Sequence, residues 1–240
     1  MEEGRLHSIE TFGAVDGPGI RTVFFLQGCP ARCLYCHNPD TWKRAGGDQV
    51  QISALVDRAK RGSAYYGKDG GVTFSGGEPL MQGLFLTQAI QALKKAGISS
   101  IIDTSGTYSD EYTSGAIEAC QMLLLDVKHS NPAKFKEIAG VDQGELLKVI
   151  DIINSFEKHV WVRQVIIPGI NDDYENMDNL ADFVKKIRHI DKIELLPYHT
   201  MAVNKYKKLG MKYRLDGVPA MDAEKTRELE EYIREKTGIR

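Results

Sequence analysis

Apolar residues in this chain fall in short continuous runs separated by stretches of helical period. The runs lie at 22–26, 71–74, 98–102, 121–127, 161–167 and 192–196. They are built of Val, Ile, Leu and Phe without strict alternation, as in parallel strands buried on both faces. Between them, Ile52, Leu55, Val56 and Ala59 follow the i, i+3, i+4, i+7 rule of an amphipathic helix. Leu86, Ala89, Ile90 and Leu93 repeat it, with Gly97 placed to end the helix. Leu146, Leu147, Ile150 and Ile153 form a further stripe, as do Met177, Leu180, Val184 and Ile187, and residues 222–236 predict a closing surface helix. Strands alternating with helices imply βαβ units and a parallel sheet. About six units are visible, fewer than the eight of a closed barrel. The expected fold is α/β: one domain over residues 1–240, a partial (β/α)6 TIM-like barrel of parallel strands with outer helices. An open doubly wound sheet is the alternative. In either, ligands bind beyond the carboxyl ends of the strands, so the loops after strands carry the interest.

Composition narrows the class. In 240 residues the apolar fraction is 42% and the charged fraction 27%, which excludes a disordered or low-complexity chain. Lys and Arg number 31 against 33 Asp and Glu, so nothing points to nucleic acid. No run is long and apolar enough for a membrane span, and Met1-Glu2-Glu3-Gly4-Arg5 has no signal-peptide core. A cytoplasmic, thiol-preserving compartment is expected. There, 4 cysteines in 240 residues point to metal or chemistry rather than to disulfides.

Three of the four cysteines lie in one stretch, Gly28-Cys29-Pro30-Ala31-Arg32-Cys33-Leu34-Tyr35-Cys36-His37-Asn38-Pro39, directly after the first apolar run. Gly28, Pro30 and Pro39 favour a loop. Thiolates this close converge only if the chain curls round one centre. An iron–sulfur cluster held by three thiolates keeps one iron open, as a catalytic centre requires. Zinc bound by these cysteines with His37 or Cys120 stays open as a reading, and so does a Cys33/Cys36 redox pair. Cys120, in an apolar stretch, reads as a buried inert thiol. The basic stretch 205–214 reads first as a solvated loop, and otherwise as a docking surface.

At these residues the sequence resembles the radical S-adenosylmethionine superfamily. Ser75-Gly76-Gly77-Glu78-Pro79 after the second run matches the superfamily's Gly-Gly-Glu-Pro motif. The likeness runs nearly end to end, through Asp16-Gly17-Pro18-Gly19, Asp103-Thr104-Ser105-Gly106, Leu125-Asp126-Val127-Lys128, Val162-Arg163 to Pro168-Gly169, and Glu194-Leu195-Leu196-Pro197-Tyr198-His199. Within the superfamily it is similar to the activating enzymes of glycyl radical enzymes. The interval 38–74 contains no cysteine. That favours those acting on pyruvate formate-lyase over the activases that carry a cysteine-rich insert.

The resemblance implies a [4Fe–4S] cluster on Cys29, Cys33 and Cys36, with S-adenosyl-L-methionine chelating the open iron. One electron then cleaves the sulfonium to a 5′-deoxyadenosyl radical, which abstracts hydrogen from a backbone glycine of pyruvate formate-lyase or a related partner. No acid–base pair is expected, because the cofactor carries the chemistry. For S-adenosylmethionine it implies Tyr35, Cys36, His37, Gly76, Gly77, Glu78, Asp126, Val127, Lys128 and His199. Gly76 and Gly77 would let the backbone approach the ligand amine. A monovalent cation (Na+ or K+) is implied at Asp103, Thr104, Asp126 and the carbonyl of Leu124, since two facing carboxylates need a counter-charge or a raised pKa. The plainer alternative pairs one carboxylate with Lys128. Asp16 and Arg163 are implied near the substrate backbone, although strand parity leaves the direction of Arg163 open. A monomer and a reductant such as flavodoxin complete the expectation. Two alternatives remain at this level: a small-molecule enzyme of the deazaguanine synthase type, and a zinc-bound structural or interaction module.

Overall fold

The computed structural model describes residues 3–240, so Met1 and Glu2 of the N-terminal reading lie outside it. One open sheet of eight strands runs in the order β3-β1-β2-β4-β5-β6-β7-β8. The six parallel strands are β2 (Arg21–Leu26), β4 (Gly71–Gly76), β5 (Ser100–Thr104), β6 (Met122–Asp126), β7 (His159–Ile166) and β8 (Ile190–Pro197). They correspond to the six predicted apolar runs. Two further strands, β1 (Glu3–Gly13) and β3 (Asp48–Gln51), extend the sheet antiparallel on the β2 side. Most of β1 and β3 is exposed, so neither shows an apolar run. On the opposite edge of β8, the Ile193 amide donates to the Arg240 carbonyl at 2.7 Å and the Leu195 amide to Glu230 Oε2 at 2.8 Å.

The helices cover the outer face. They are α1 (Ile52–Gly62), α2 (Gly83–Lys95), α3 (Thr113–Ala119), α4 (Pro132–Ala139), α5 (Gly144–Ser155), α6 (Tyr174–Val184), α7 (Val203–Lys208) and α8 (Ala223–Thr237). The α2 stripe is buried. Gly97, at φ 73°, ends the helix, and the Ile98 amide returns to the Leu93 carbonyl at 3.0 Å. Ile98 therefore closes α2 instead of opening β5. On α5 the buried stripe is Leu146, Val149, Ile150 and Ile153, and Leu147 faces out. Asp222 caps α8 through the amides of Glu224 and Lys225. No helix among the described residues is long and apolar enough to cross a membrane.

The sheet's two faces differ. One continuous apolar core lies between sheet and helices. On the inner face a small separate cluster of Ile101, Met122 and Leu124, with Trp161 against it, forms a floor. Above that floor, toward the carboxyl ends of the strands, the inward residues become polar: Ser75, Asp103, Asp126 and Arg163.

Candidate active site

The cysteine loop leaves β2 at its carboxyl end and is braced on three sides. The Gly28 and Cys29 amides donate to the carbonyls of Thr41 and Trp42 at 2.7 and 3.3 Å. The Arg32 and Leu34 amides donate to Ala139 and Ile138 at 2.7 and 2.9 Å. These are last-turn carbonyls of α4, which have no partner within the helix. On the third side, the Gly77 amide bonds the Leu26 carbonyl at 2.9 Å and the Glu78 amide the Gly28 carbonyl at 2.8 Å. The basic stretch 205–214 adds to this brace. Lys205 reaches Asn38 and Asp40 at 2.9 and 3.3 Å, and Arg214 donates to the Arg32 carbonyl at 2.9 Å. Two cations of that stretch thus contact the cysteine loop, Lys205 half-buried and Arg214 exposed.

Cys29, Cys33 and Cys36 are all free thiols, with Cys33 buried. Burial pushes all three pKa values up, that of Cys33 to about 11. Such thiols become thiolates only against a metal, so loading releases protons. The donor set fits a cluster, in which each thiolate binds its own iron. Among the described residues no three His, Cys, Asp or Glu side chains gather tightly enough for a single ion. Cys120 sits at the other end of the sheet, before β6. It is buried, donates to the Ile117 carbonyl at 3.2 Å, and is pushed up to about 12 by burial.

The Gly-Gly-Glu-Pro turn serves the protein first. A Cβ on Gly76 would stand 2.3 Å from the Leu26 nitrogen, and Gly76 has φ 116°; a Cβ on Gly77 would stand 2.2 Å from the Gly28 oxygen. The missing side chains therefore admit the cysteine loop. The amides of Gly77 and Glu78 are committed to the Leu26 and Gly28 carbonyls, and the Glu78 carbonyl accepts from the Met81 amide at 3.1 Å, which leaves the Gly77 carbonyl to a ligand amine. The expectation for Glu78 is corrected. It is wholly buried, and accepts from Thr104 Oγ1 at 2.6 Å, Ser105 Oγ at 2.8 Å, the Ser105 amide at 3.1 Å and the Leu80 amide at 3.2 Å. It staples the β4 turn to the end of β5 and does not face a ligand. The Val127 amide donates to the Arg163 carbonyl at 2.9 Å, and its carbonyl accepts from Gln164 Nε2 at 3.3 Å.

Across the inner face runs a chain of charges. Arg163 Nη2 lies 2.6 Å from Asp103 Oδ1 and Nε lies 2.8 Å from Asp126 Oδ1. Lys128 Nζ lies 3.1 Å from Asp126 Oδ2, and Ser75 donates to Asp103 Oδ2 at 2.7 Å. Parity is thereby settled: Arg163 points inward, in register with Asp126. The two carboxylates lie on either side of this guanidinium, which pairs with both. Thr104 Oγ1 is also spent, donating to Glu78 and accepting from the Gly106 amide at 2.9 Å. Leu124 lies beside Asp103 in register, with its side chain in the apolar floor. The Asp103 carboxyl is raised, because burial outweighs Arg163. Burial also opposes the Asp126 charge, but Arg163 and Lys128 together hold its pKa low.

The remaining expected residues gather around this chain. Tyr35 is buried with Lys128 Nζ 5.4 Å from its ring centre. His37 and His199 stack at 4.1 Å, although distant in sequence. Burial, and then the neighbouring His199, pulls His37 down to about 4. Asp16 lies near Asp103, and burial and that charge raise its carboxyl to about 6. Arg21 was not foreseen. It is wholly buried and spans the Asp16 loop and the sheet, donating to the carbonyls of Pro18, Asp69 and Val72 and to Thr73 Oγ1 at 2.8–3.0 Å. Its one sequence signal is a charge heading a fully buried strand.

Comparisons with known proteins give the chain relatives along its whole length. A family model described as a 4Fe-4S single cluster domain matches residues 15–140. The pyruvate formate-lyase-activating enzyme of Clostridium pasteurianum is 44% identical over 98% of this chain and 99% of its own length. Among solved structures, a domain of the pyruvate-formate lyase-activating enzyme from Bacteroides vulgatus superposes with TM-score 0.57 at 27% identity, over 71% of this chain and 96% of that one. Streptococcus suis SuiB bound to its precursor peptide SuiA reaches 0.66 at 18% identity, over 90% of this chain and 45% of that one, a likeness of fold. Kinship along the whole chain and a braced three-cysteine loop at the carboxyl end of the sheet lead to one assignment: this chain belongs to the family of pyruvate formate-lyase-activating enzymes.

Proposed function

We propose that this chain is a radical S-adenosylmethionine activase that installs a glycyl radical on pyruvate formate-lyase. The observation that carries the reading is the cysteine loop, held in shape beside the Gly76–Gly77 turn in a chain related to activases over its full length. When bound, the cluster and S-adenosylmethionine supply the one-electron cleavage and the radical that takes a hydrogen atom from the partner's glycine. Cys29, Cys33 and Cys36 hold three irons. Cys120, at the far end of the sheet, leaves the fourth iron to the ligand. The Gly76 and Gly77 carbonyls orient the ligand amine. Lys128 keeps N–H donors beyond the one on Asp126 and binds carboxylate or ribose oxygens. The His37–His199 stack and Tyr35 enclose the adenosyl group and exclude water.

Asp16 and Arg163 line the approach of the substrate backbone. Arg163 is the counter-ion between Asp103 and Asp126, and a Na+ or K+ would compete with it. A flavodoxin-like reductant, a monomeric state and a cytoplasmic setting belong to the same reading. The test is anaerobic: reconstituted protein, reductant and S-adenosylmethionine are mixed with pyruvate formate-lyase, and electron paramagnetic resonance is recorded. A glycyl radical doublet on the partner is expected. Cleavage of S-adenosylmethionine with no partner radical would refute the assignment.

A further inference from the structure

From Met201 to Leu215 the chain carries five cations, Lys205, Lys207, Lys208, Lys212 and Arg214, and no Asp or Glu, although the net charge of the whole is -2. The excess is therefore local. Two of the five contact the cysteine loop. Lys205 Nζ lies 2.9 Å from Asn38 Oδ1, and Arg214 donates to the Arg32 carbonyl at 2.9 Å. These contacts fall just after Cys36 and just before Cys33. The other three, Lys207, Lys208 and Lys212, are exposed and form no ion pair among the described residues. Leu209, in the same stretch, is 44% exposed, so apolar surface stands among the cations.

Beneath this face the packing is aromatic. Tyr206 is buried, and its ring meets Trp42 at 6.3 Å and 77° and Tyr213 at 4.9 Å and 66°. The Trp42 carbonyl in turn accepts from the Cys29 amide at 3.3 Å. Packed side chains thus lead from the cationic surface to the cysteine loop. Unpaired cations held close together repel one another, and a surface of opposite sign relieves that repulsion and is steered toward them.

We propose that the face formed by Lys207, Lys208 and Lys212 docks an acidic one-electron carrier protein, which delivers the electron that cleavage of S-adenosylmethionine consumes. The inference rests on the cluster reading above. The glycine-bearing partner approaches elsewhere: Asp16 and Arg163 line its path on the inner face of the sheet, whereas this stretch is tied to the backbone of the cysteine loop. With flavodoxin as the carrier, the flavin hydroquinone anion gives up one electron and becomes the neutral semiquinone. The cluster gains that electron, and no proton or bond changes hands.

The test mixes reconstituted protein anaerobically with flavodoxin photoreduced to its hydroquinone, and follows the semiquinone by absorbance. The bimolecular rate constant should fall about tenfold between about 10 mM and about 150 mM salt, as the screening length shrinks from about 30 Å to about 8 Å. In the triple variant Lys207→Glu, Lys208→Glu, Lys212→Glu the low-salt rate constant should fall about tenfold. Its iron and sulfide content, and its reduction by photoexcited deazaflavin, a small donor that needs no docking face, should match the unaltered protein. A second measurement needs neither the variant nor the cluster. Carbodiimide should join carboxylates of flavodoxin to Lys207, Lys208 or Lys212 of the unaltered chain, located by mass spectrometry. A rate constant indifferent to salt, an unchanged rate in a triple variant with its full cluster, or cross-links confined to other lysines would overturn the inference. If the triple variant instead loses binding to pyruvate formate-lyase and keeps the carrier rate, the face belongs to that partner and the inference is overturned as well. If the unaltered chain takes up no iron and sulfide, the cluster reading itself fails and the inference with it.

Discussion

Replacing Arg163 by Met tests the charge arrangement of the site. Arg163 touches Asp103 at 2.6 Å and Asp126 at 2.8 Å, with its side chain 8% exposed. Taking the charge centres about 4 Å apart and an effective dielectric of 20, each pair is worth about 4 kcal/mol. Desolvating the guanidinium offsets several kcal/mol, and broken buried pairs lose about 3–5 kcal/mol overall. Asp126 keeps Lys128, so the loss falls mainly on Asp103, and about 3 kcal/mol is expected at pH 8. The sign with pH follows from Asp103. Its folded carboxyl already lies above the usual carboxylate value through burial, and removal of Arg163 raises it further. Stability tied to a raised carboxyl is complete below its unfolded value, about 4. It is lost as pH rises through the folded value. The deficit of Arg163→Met should therefore be larger at pH 8 than at pH 5. Urea unfolding of the cluster-free protein, followed by circular dichroism, measures it. The double variant with Asp103→Asn should recover most of the loss. A deficit below about 1 kcal/mol at pH 8, or one equal at both pH values, would show that Arg163 is not the counter-ion.

Three shorter predictions concern the rest of the site. Cys→Ala at Cys29, Cys33 or Cys36 should abolish the cluster by iron and sulfide content, whereas Cys120→Ala keeps it. Glu78→Gln puts an amide NH2 where four donors converge, and should destabilise by about 2–3 kcal/mol in urea unfolding; a change within error would contradict the staple. Asp16→Asn should stabilise the chain at pH 8 and not at pH 4, because the Asp16 carboxyl is raised to about 6 and its favourable protonated form is lost above that. With solvent screening at this half-buried site the gain is about 1 kcal/mol, read from unfolding midpoints at the two pH values.

The six parallel strands were legible because burial on both faces removes polar residues from them. β1 was not: its 11 residues, Glu-Gly-Arg-Leu-His-Ser-Ile-Glu-Thr-Phe-Gly, are mostly exposed and carry no run. α4 had its signals in plain order, with Asn131 and Pro132 at its start and Gly140 in the left-handed conformation at its end. It is too short for a stripe of helical period to reveal it. Motif spacing located the cysteines and the glycine turn, but not what each polar group already bonds. That is why Glu78 and Thr104 turned out to be committed to one another. Arg163 was undetermined because a strand's parity is fixed only by its neighbours' register. The His37–His199 stack joins residues too far apart for any local pattern.

The bracing of the cysteine loop has a consequence for the protein without its cluster. Where a metal shapes its own site, losing the metal unfolds the chain. Here the loop takes its form from α4, the Thr41–Trp42 carbonyls and the glycine turn, none of which needs iron. Loss of a bound cluster would therefore leave the mould in place. The cluster-free chain should keep its fold and its loop, and be able to take up a cluster again.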